Sequence, residues 1–192
     1  MLSSSLRRGK QIHFLVLRDI CPLVPGHSLL ITRNHFCSFA QLPSGMLGEF
    51  RDVRDQAISQ LVRTYADPLL FEHGSSAELP SSGVCIQHAH IHLVPVQAPV
   101  EEWLGDFGNV TAYDMFAAAS RRDDPPENYL WYRSQLGQEY LVRDFFQPVP
   151  SQFVRRALAD HLEIRTWNWK SVLARFTDGS QCSATSTDLT RG

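Results

Sequence analysis

Several short runs of the chain are rich in apolar, β-branched and aromatic residues, and in two longer runs apolar residues recur at threes and fours. The first pattern is typical of β-strands and the second of amphipathic helices. Strands are predicted at IHFLVL (12–17), SLLIT (28–32), PLLFEH (68–73), VCIQHAHIHLVPV (84–96), NYLWYR (128–133) and QEYLVRDFF (138–146), and helices over 43–65 and 150–162. The first two strands are expected to pair as a hairpin, and so are the last two.

Turn and capping residues refine these elements. Ser44 and Ser151 are predicted to be the N-caps of the two helices, and Gly137 lies near the last predicted turn. The stretch 97–128 is rich in loop-forming residues, with AYDMFAAASRR (112–122) compatible with a short helix. Hairpins combined with segregated helices predict an α+β fold: an antiparallel sheet, a long helix after the second strand and a C-terminal helix.

The length of 192 residues suits one domain with appendages. We expect an N-terminal tail over 1–11, a core domain over 12–100, an extension over 101–176 packed on that core, and a mobile tail over 177–192, which is rich in serine and threonine.

Charge and cysteine content narrow the function classes. A net charge of −2 and a pI near 6.4 argue against binding nucleic acid or a membrane surface through charge. The four cysteines have no CxxC spacing, which favours reduced thiols. The basic start MLSSSLRRGKQ is not followed by a signal-peptide pattern, and no apolar run approaches the ~20 residues that span a bilayer. A cytoplasmic location is therefore expected.

Three histidines, His88, His90 and His92, follow one another at two-residue spacing in the fourth predicted strand. Strand alternation places them on one face, with Cβ atoms roughly 6.5–7 Å apart. A solvated face gives no reason to choose imidazole three times. Two chemistries remain open on the spacing alone: three imidazoles can bind zinc with an open fourth position, or one can attack phosphorus while its neighbours stabilise the developing charge.

The segment HAHIHLVP resembles the signature of the histidine triad (HIT) nucleotide-binding family, in which three histidines alternate with apolar residues. Upstream, LRDICPLVPGHSLLITRNH (17–35) is similar to the family's N-terminal stretch, and LLFEHG (69–74) lies where the family has a strand before the triad. The resemblance covers 12–96, and the rest looks like an extension found in some members. It implies a HIT-like sheet, a homodimer whose sheet continues across the interface, and a small nucleotide as ligand, with neither nucleic acid nor membrane as partner.

The resemblance also implies catalytic roles. His90 would attack the α-phosphorus of a nucleotide, His92 would hydrogen-bond the phosphate, and His88 would hold the geometry of the site. His27, in the PGH segment, matches the family's fourth active-site histidine.

Binding roles follow in the same way. Asp19 would accept hydrogen bonds from the ribose hydroxyls, and Leu17 and Ile20 would line the base pocket. Two positions differ from the family's usual residues: Glu72 takes the place of an asparagine, and Cys85 that of a serine or threonine. A carboxylate beside phosphates would repel them unless it were protonated or paired, so these two residues bear on substrate choice.

The expected function is hydrolysis or transfer at the α-phosphate of a dinucleoside polyphosphate, nucleotidyl ester or phosphoramidate, through a covalent nucleotidyl-histidine intermediate. No cofactor is expected, although a divalent cation can accompany a polyphosphate substrate. The alternatives are a nucleotide-binding regulatory module with little catalysis and a zinc hydrolase. Arg155 and Arg156 could approach a polyphosphate, and Trp167 and Trp169 could stack on a base, but such residues are more often solvated charges and packing residues, which is what we expect here.

Overall fold

The computed structural model describes residues 12–75, 88–115 and 128–177. Its strands are β1 Phe14–Arg18, β2 Ser28–Thr32, β3 Leu69–Ser75, β4 His90–Val94, β5 Asn109–Ala112, β6 Asn128–Arg133 and β7 Glu139–Arg143. Its α-helices are α1 Leu47–Thr64, α2 Val100–Gly105, α3 Phe153–His161 and α4 Trp169–Thr177, and short 3-10 turns lie at Phe39–Gln41 and Ser44–Met46. The predicted α+β class is confirmed.

The seven described strands form one antiparallel sheet in the order β1-β2-β4-β3-β6-β7-β5. Both predicted hairpins are present, and Gly137 has the positive φ of 80° that its turn requires. The sheet is continuous from the core into the extension, because β6 pairs with β3 from Arg133 to Asn128.

The two faces of the sheet carry separate hydrophobic clusters. On one face, β4 contributes Ile91 and Leu93, which are fully buried in the same cluster as Phe50 of α1. Burying one such side chain stabilises the fold by about 1.5–3 kcal/mol. The other face is covered by α3, whose Leu158 belongs to the cluster that contains Phe71. The triad histidines alternate with Ile91 and Leu93, so they belong to the face that α3 covers.

Several sequence predictions differ from the structure. Neither serine is a cap: Ser44 opens a 3-10 turn before α1, and α3 follows Gln152, which has a φ of 59°. The elements α2, β5 and α4 were not predicted. The first two are only six and four residues long, too short for periodicity to show, and β5 forms by pairing with β7.

Some predictions concern residues that the structure does not describe. These are the start of the fourth strand, the loop that precedes it, most of the short helix within 112–122, and the tail after residue 177. Within the described ranges, no helix combines the length and the apolar character needed to cross a membrane.

Candidate active site

Neighbouring strands position His92 at the centre of the sheet. It pairs with Leu29 of β2 on one side and with Phe71 of β3 on the other, so the three side chains share a face. The imidazole of His92 stacks on the ring of Phe71 with centroids 4.6 Å apart. This packing fixes the ring plane of His92, and the ring of His90 meets it edge-on at 5.3 Å.

The hydrogen bonds of His90 and His88 assign the proton of the central histidine. The Nδ1 atom of His90 lies 2.8 Å from the carbonyl oxygen of His88. A carbonyl can only accept, so Nδ1 donates and Nε2 keeps its lone pair. Burial lowers the pKa of His90, which favours this neutral form. The ring of His88 in turn donates from Nε2 to the carbonyl oxygen of Thr32 at 2.7 Å, which ties the first histidine to β2.

A chain of hydrogen bonds assigns the protons of His27 and His92. The backbone N–H of Leu23 donates to Nδ1 of His27 at 3.1 Å, so the proton of this imidazole is on Nε2. That Nε2 lies 3.0 Å from Nδ1 of His92, which therefore accepts and carries its own proton on Nε2. Burial is the main cause that lowers the pKa of His27 to about 4 and that of His92 well below its ordinary value. Both rings are thus neutral donors at pH 7.

Arg155 of α3 is the main partner of Asp19. The carboxylate accepts the backbone N–H of Cys21 at 2.7 Å on Oδ1 and a guanidinium N–H of Arg155 at 2.8 Å on Oδ2. Arg155 is 2% exposed and also donates to the carbonyl oxygens of Cys21 and Trp167. The expectation that Arg155 is a solvated charge is wrong, whereas Arg156 is solvated, with a side chain 63% exposed. Ribose hydroxyls at Asp19 would have to share oxygens that already have partners.

The histidines His90 and His92 open onto a cavity of about 170 Å³ between the sheet and the C-terminal helices. An apolar cavity of roughly 150 Å³ is large enough for benzene. Its other lining residues are Asp19, Ile20, Leu29, Phe71, His73, Leu130, Gln152, Phe153, Val154, Arg155 and Trp169. Ile20 and Trp169 are thus both part of the lining. Leu17 lies on β1 beside Leu29, 46% exposed, and is not part of the lining.

Glu72 is not brought to the cavity. It alternates with Phe71 and His73 along β3 and points to the opposite face. There its carboxyl accepts the backbone N–H of Phe39 at 2.9 Å and the hydroxyl of Tyr129 at 2.5 Å. Burial raises the pKa of Glu72 to about 7, against the opposing effect of these two donors. The expected conflict with substrate phosphates therefore does not arise from this residue.

His73 lines the cavity as well, and it is the titratable lining residue that was not predicted from the sequence. The signal was available in strand alternation, because His73 follows Phe71 by two residues and so shares the face of His92. Its Nε2 atom is buried and has no hydrogen-bond partner among the described residues. Burial, followed by the effect of His90, lowers the pKa of His73 to about 4. Cys85, the other residue predicted to influence substrate choice, lies outside the described residues.

The placement of Glu72 predicts a stability effect without an activity effect. The pKa of about 7 in the folded chain exceeds the ordinary 4.5, so the folded state binds the proton more tightly. The stabilisation is full below pH 4.5 and is lost as the pH rises through 7; the change is about 3 kcal/mol for this shift. Glu72→Gln should abolish that loss and leave kcat unchanged. Urea unfolding at pH 5 and pH 8 measures it, and a lowered kcat with an unchanged pH dependence of stability would return Glu72 to the site.

One cluster of the described residues has the spacing of a metal site, namely Asp19, His27 and His92, whose nearest ligand atoms all lie within 4.8 Å. Its hydrogen bonds do not suit a metal ion. The N–H of Leu23 faces Nδ1 of His27, which leaves the proton on Nε2, the atom that would have to bind the ion. The Oδ2 atom of Asp19 is already held by Arg155. The donor set therefore does not support the zinc hydrolase alternative at this cluster.

Comparisons with known proteins address which family the chain resembles. No curated protein matches the chain. A solved structure, a DUF4931 family protein from Bacillus cereus ATCC 10987, is similar over 89% of this chain and 97% of that chain, with 12% identity and a TM-score of 0.49. The family model of the HIT domain matches residues 8–98, and proteins with this domain in general bind nucleotides and hydrolyse or transfer them. Residues 8–98, a little under half of the chain, therefore match the model of the histidine triad (HIT) domain.

Proposed function

We propose that the protein hydrolyses or transfers nucleotide derivatives at the α-phosphate, with His90 as the nucleophile. The observation that carries this proposal is the bond from Nδ1 of His90 to the carbonyl oxygen of His88. It leaves the lone pair of Nε2 available on a residue that lines the cavity. A neutral, oriented imidazole with a lowered pKa is a competent nucleophile at neutral pH.

The reaction then takes two displacements. In the first, Nε2 of His90 forms a bond to the α-phosphorus while the bond from phosphorus to the leaving group breaks, and the leaving group takes the electron pair. In the second, water or another acceptor forms a bond to phosphorus, and the electron pair of the broken P–N bond returns to Nε2. The acceptor's proton is released at this step. Water gives hydrolysis, and another nucleophile gives transfer.

His92 is assigned to the phosphate oxygens. Its only proton is on Nε2, because Nδ1 accepts from His27. A donor held by ring stacking on Phe71 is fixed before the substrate arrives, and such preorganised donors stabilise charge that develops in the transition state. His27 acts through His92, since it fixes which nitrogen of His92 is the donor.

The lining of the cavity suits a nucleoside. Apolar side chains from both ends of the chain meet there, Ile20 after β1 and Phe153 and Trp169 from the C-terminal helices. A base can stack on such a surface, and the nearby histidines then face its phosphate. The substrate class is thus a dinucleoside polyphosphate, a nucleotidyl ester or a nucleoside phosphoramidate.

A second function, nucleotide binding with little turnover, is favoured by one observation. Asp19 is held by Arg155 and Cys21, so the carboxylate is not free to position a ribose. A loosely positioned nucleotide would bind without reacting efficiently, because catalysis depends on orientation at the reacting atoms.

Trapping the intermediate separates the two functions. The protein is mixed with adenylylated and guanylylated compounds of the three substrate classes, quenched at alkaline pH in denaturant, and analysed by intact and peptide mass spectrometry. We expect a nucleotidyl adduct on the peptide that contains His90, together with release of nucleoside monophosphate. Binding without adduct or product supports the second function, and product without adduct contradicts the nucleophile assignment.

A further inference from the structure

Arg155 joins the C-terminal extension to the centre of the site. It is carried by α3, yet its guanidinium is 2% exposed and bonds to Asp19 and Cys21, 136 and 134 residues earlier in the chain. A third partner is the carbonyl oxygen of Trp167, so the guanidinium connects three separate segments. A buried charge is costly unless it is paired, and here all the contacts are acceptors.

Asp19 connects Arg155 to the histidines. Its Oδ2 atom, the one bound to Arg155, lies 3.5 Å from Nε2 of His27 and 3.7 Å from Nδ1 of His92. Without the guanidinium, this oxygen would be a stronger acceptor for the Nε2 proton of His27 than Nδ1 of His92 is. It would also favour a second proton on His92. With Arg155 in place, the His27 proton is directed to His92.

We propose that Arg155 and Asp19 form a positioning pair of the active site, in which α3 supplies a fixed positive charge that holds the Asp19 carboxylate and directs the His27 proton to His92. This inference rests on the proposed function, because it assigns the pair a role in preparing the nucleophile and the phosphate donor. It also gives the extension a function, since Arg155 is the one arginine or lysine among the described residues that line the cavity.

The surrounding charges support opposite effects of the two partners. The positive charge of Arg155 lowers the pKa of His27, His90 and His92, whereas the carboxylate of Asp19 raises the pKa of His27 and His90. The titratable and charged groups that act on His90 from the described elements are His88 just before β4, His92 of β4, His73 of β3, Asp19 of the β1–β2 loop and Arg155 of α3. Only Arg155 among them carries a permanent positive charge.

The pH–rate profile of adduct formation tests the pair. Arg155→Met should move the acid limb of the profile to higher pH by about one unit, because loss of the positive charge lets His90 protonate more easily. Asp19→Asn should move the limb to lower pH. Arg155→Lys should keep the limb near its original position at a reduced rate, since the charge is retained and the forked hydrogen bonds are not.

Arg156→Met is the matched control. It removes the same charge from the next residue of the same helix, where the side chain is 63% exposed and pairs only with Asp160 among the described contacts. Its profile should coincide with that of the unsubstituted protein. If Arg155→Met does not fold, Asp19→Asn still gives the direction of the shift caused by the carboxylate. Comparison of Asp19→Asn with the double variant Asp19→Asn, Arg155→Met then gives the direction of the shift caused by the guanidinium.

The failures of the two proposals are distinguishable. If an adduct forms on His90 but neither Arg155→Met nor Asp19→Asn moves the acid limb, the positioning pair is overturned and the proposed function stands. If the unsubstituted protein forms no adduct at any pH, the proposed function fails. Titration of the histidine rings by NMR then still tests the pair, because opposite shifts of the His90 pKa are expected without any turnover, and unchanged values would overturn it.

Discussion

His90→Ala is expected to lower turnover by about 10⁴-fold or more and to leave nucleotide affinity within a few-fold of the original. The substitution removes the atom that forms the covalent bond to phosphorus, and loss of a nucleophile of this kind costs on the order of 10⁴–10⁶ in rate. Binding should persist because the apolar side chains of the cavity and the donor His92 remain in place. Single-turnover kinetics measure the rate, and calorimetric titration with a nucleoside monophosphate measures the affinity.

A histidine elsewhere in the chain serves as the control for this substitution. His161 ends α3 with an exposed side chain that packs against Trp103 and is not part of the cavity. His161→Ala should leave both rate and affinity unchanged. Near-normal turnover by His90→Ala would show that the nucleophile is another group. A parallel loss of affinity and rate would show that His90 mainly binds the ligand.

The sequence was sufficient to predict that the histidines of the triad share one face, because strand geometry makes their grouping a local property. Residues two apart on a strand share a face whatever the rest of the fold does, so the triad follows from its spacing. The hairpin of β1 and β2 then brings His27 beside β4, and the same turn carries Asp19. The spacing alone predicted the grouping of the triad, whereas His27 and Asp19 were predicted from the resemblance to the HIT family.

The partners of those histidines were not predictable in the same way. Arg155 lies on a helix with charged neighbours, where a charge is ordinarily solvated, and only the docking of α3 on the sheet buries it. Glu72 and His73 are neighbours on β3, yet His73 lines the cavity and Glu72 is buried in the core on the opposite face of the sheet. An error of one residue in the predicted register would therefore reverse the two assignments. Trp169 likewise reaches the cavity through tertiary packing alone.

The buried histidines are expected to make the fold sensitive to mild acid. In the unfolded chain a histidine titrates at its ordinary pKa of 6.5, whereas the folded values of His27 and His73 are about 4. Below pH 6.5 the unfolded chain therefore binds more protons than the folded one, and stability falls as the pH is lowered. The stabilisation is full above pH 6.5 and is lost progressively down to about pH 4. His90 and His92, whose pKa values are also lowered by burial, add to the loss.

The expected loss of unfolding free energy is large enough to measure once the opposing contribution of Glu72 is removed. The shift of His27 alone corresponds to about 3 kcal/mol at pH 4, which is a substantial part of the 5–15 kcal/mol typical of a domain. Glu72 acts in the opposite sense over part of the same range, so urea unfolding from pH 7.5 to pH 4.5 is best measured in the Glu72→Gln background, where the histidine contribution stands alone. Adding His73→Gln should weaken the pH dependence of the unfolding free energy by the contribution of that one histidine. A free energy of unfolding that stays constant over this range would show that the four imidazoles bind protons as readily in the folded chain as in the unfolded one. The neutral forms of His27, His90 and His92, on which the proposed chemistry depends, would then be wrong.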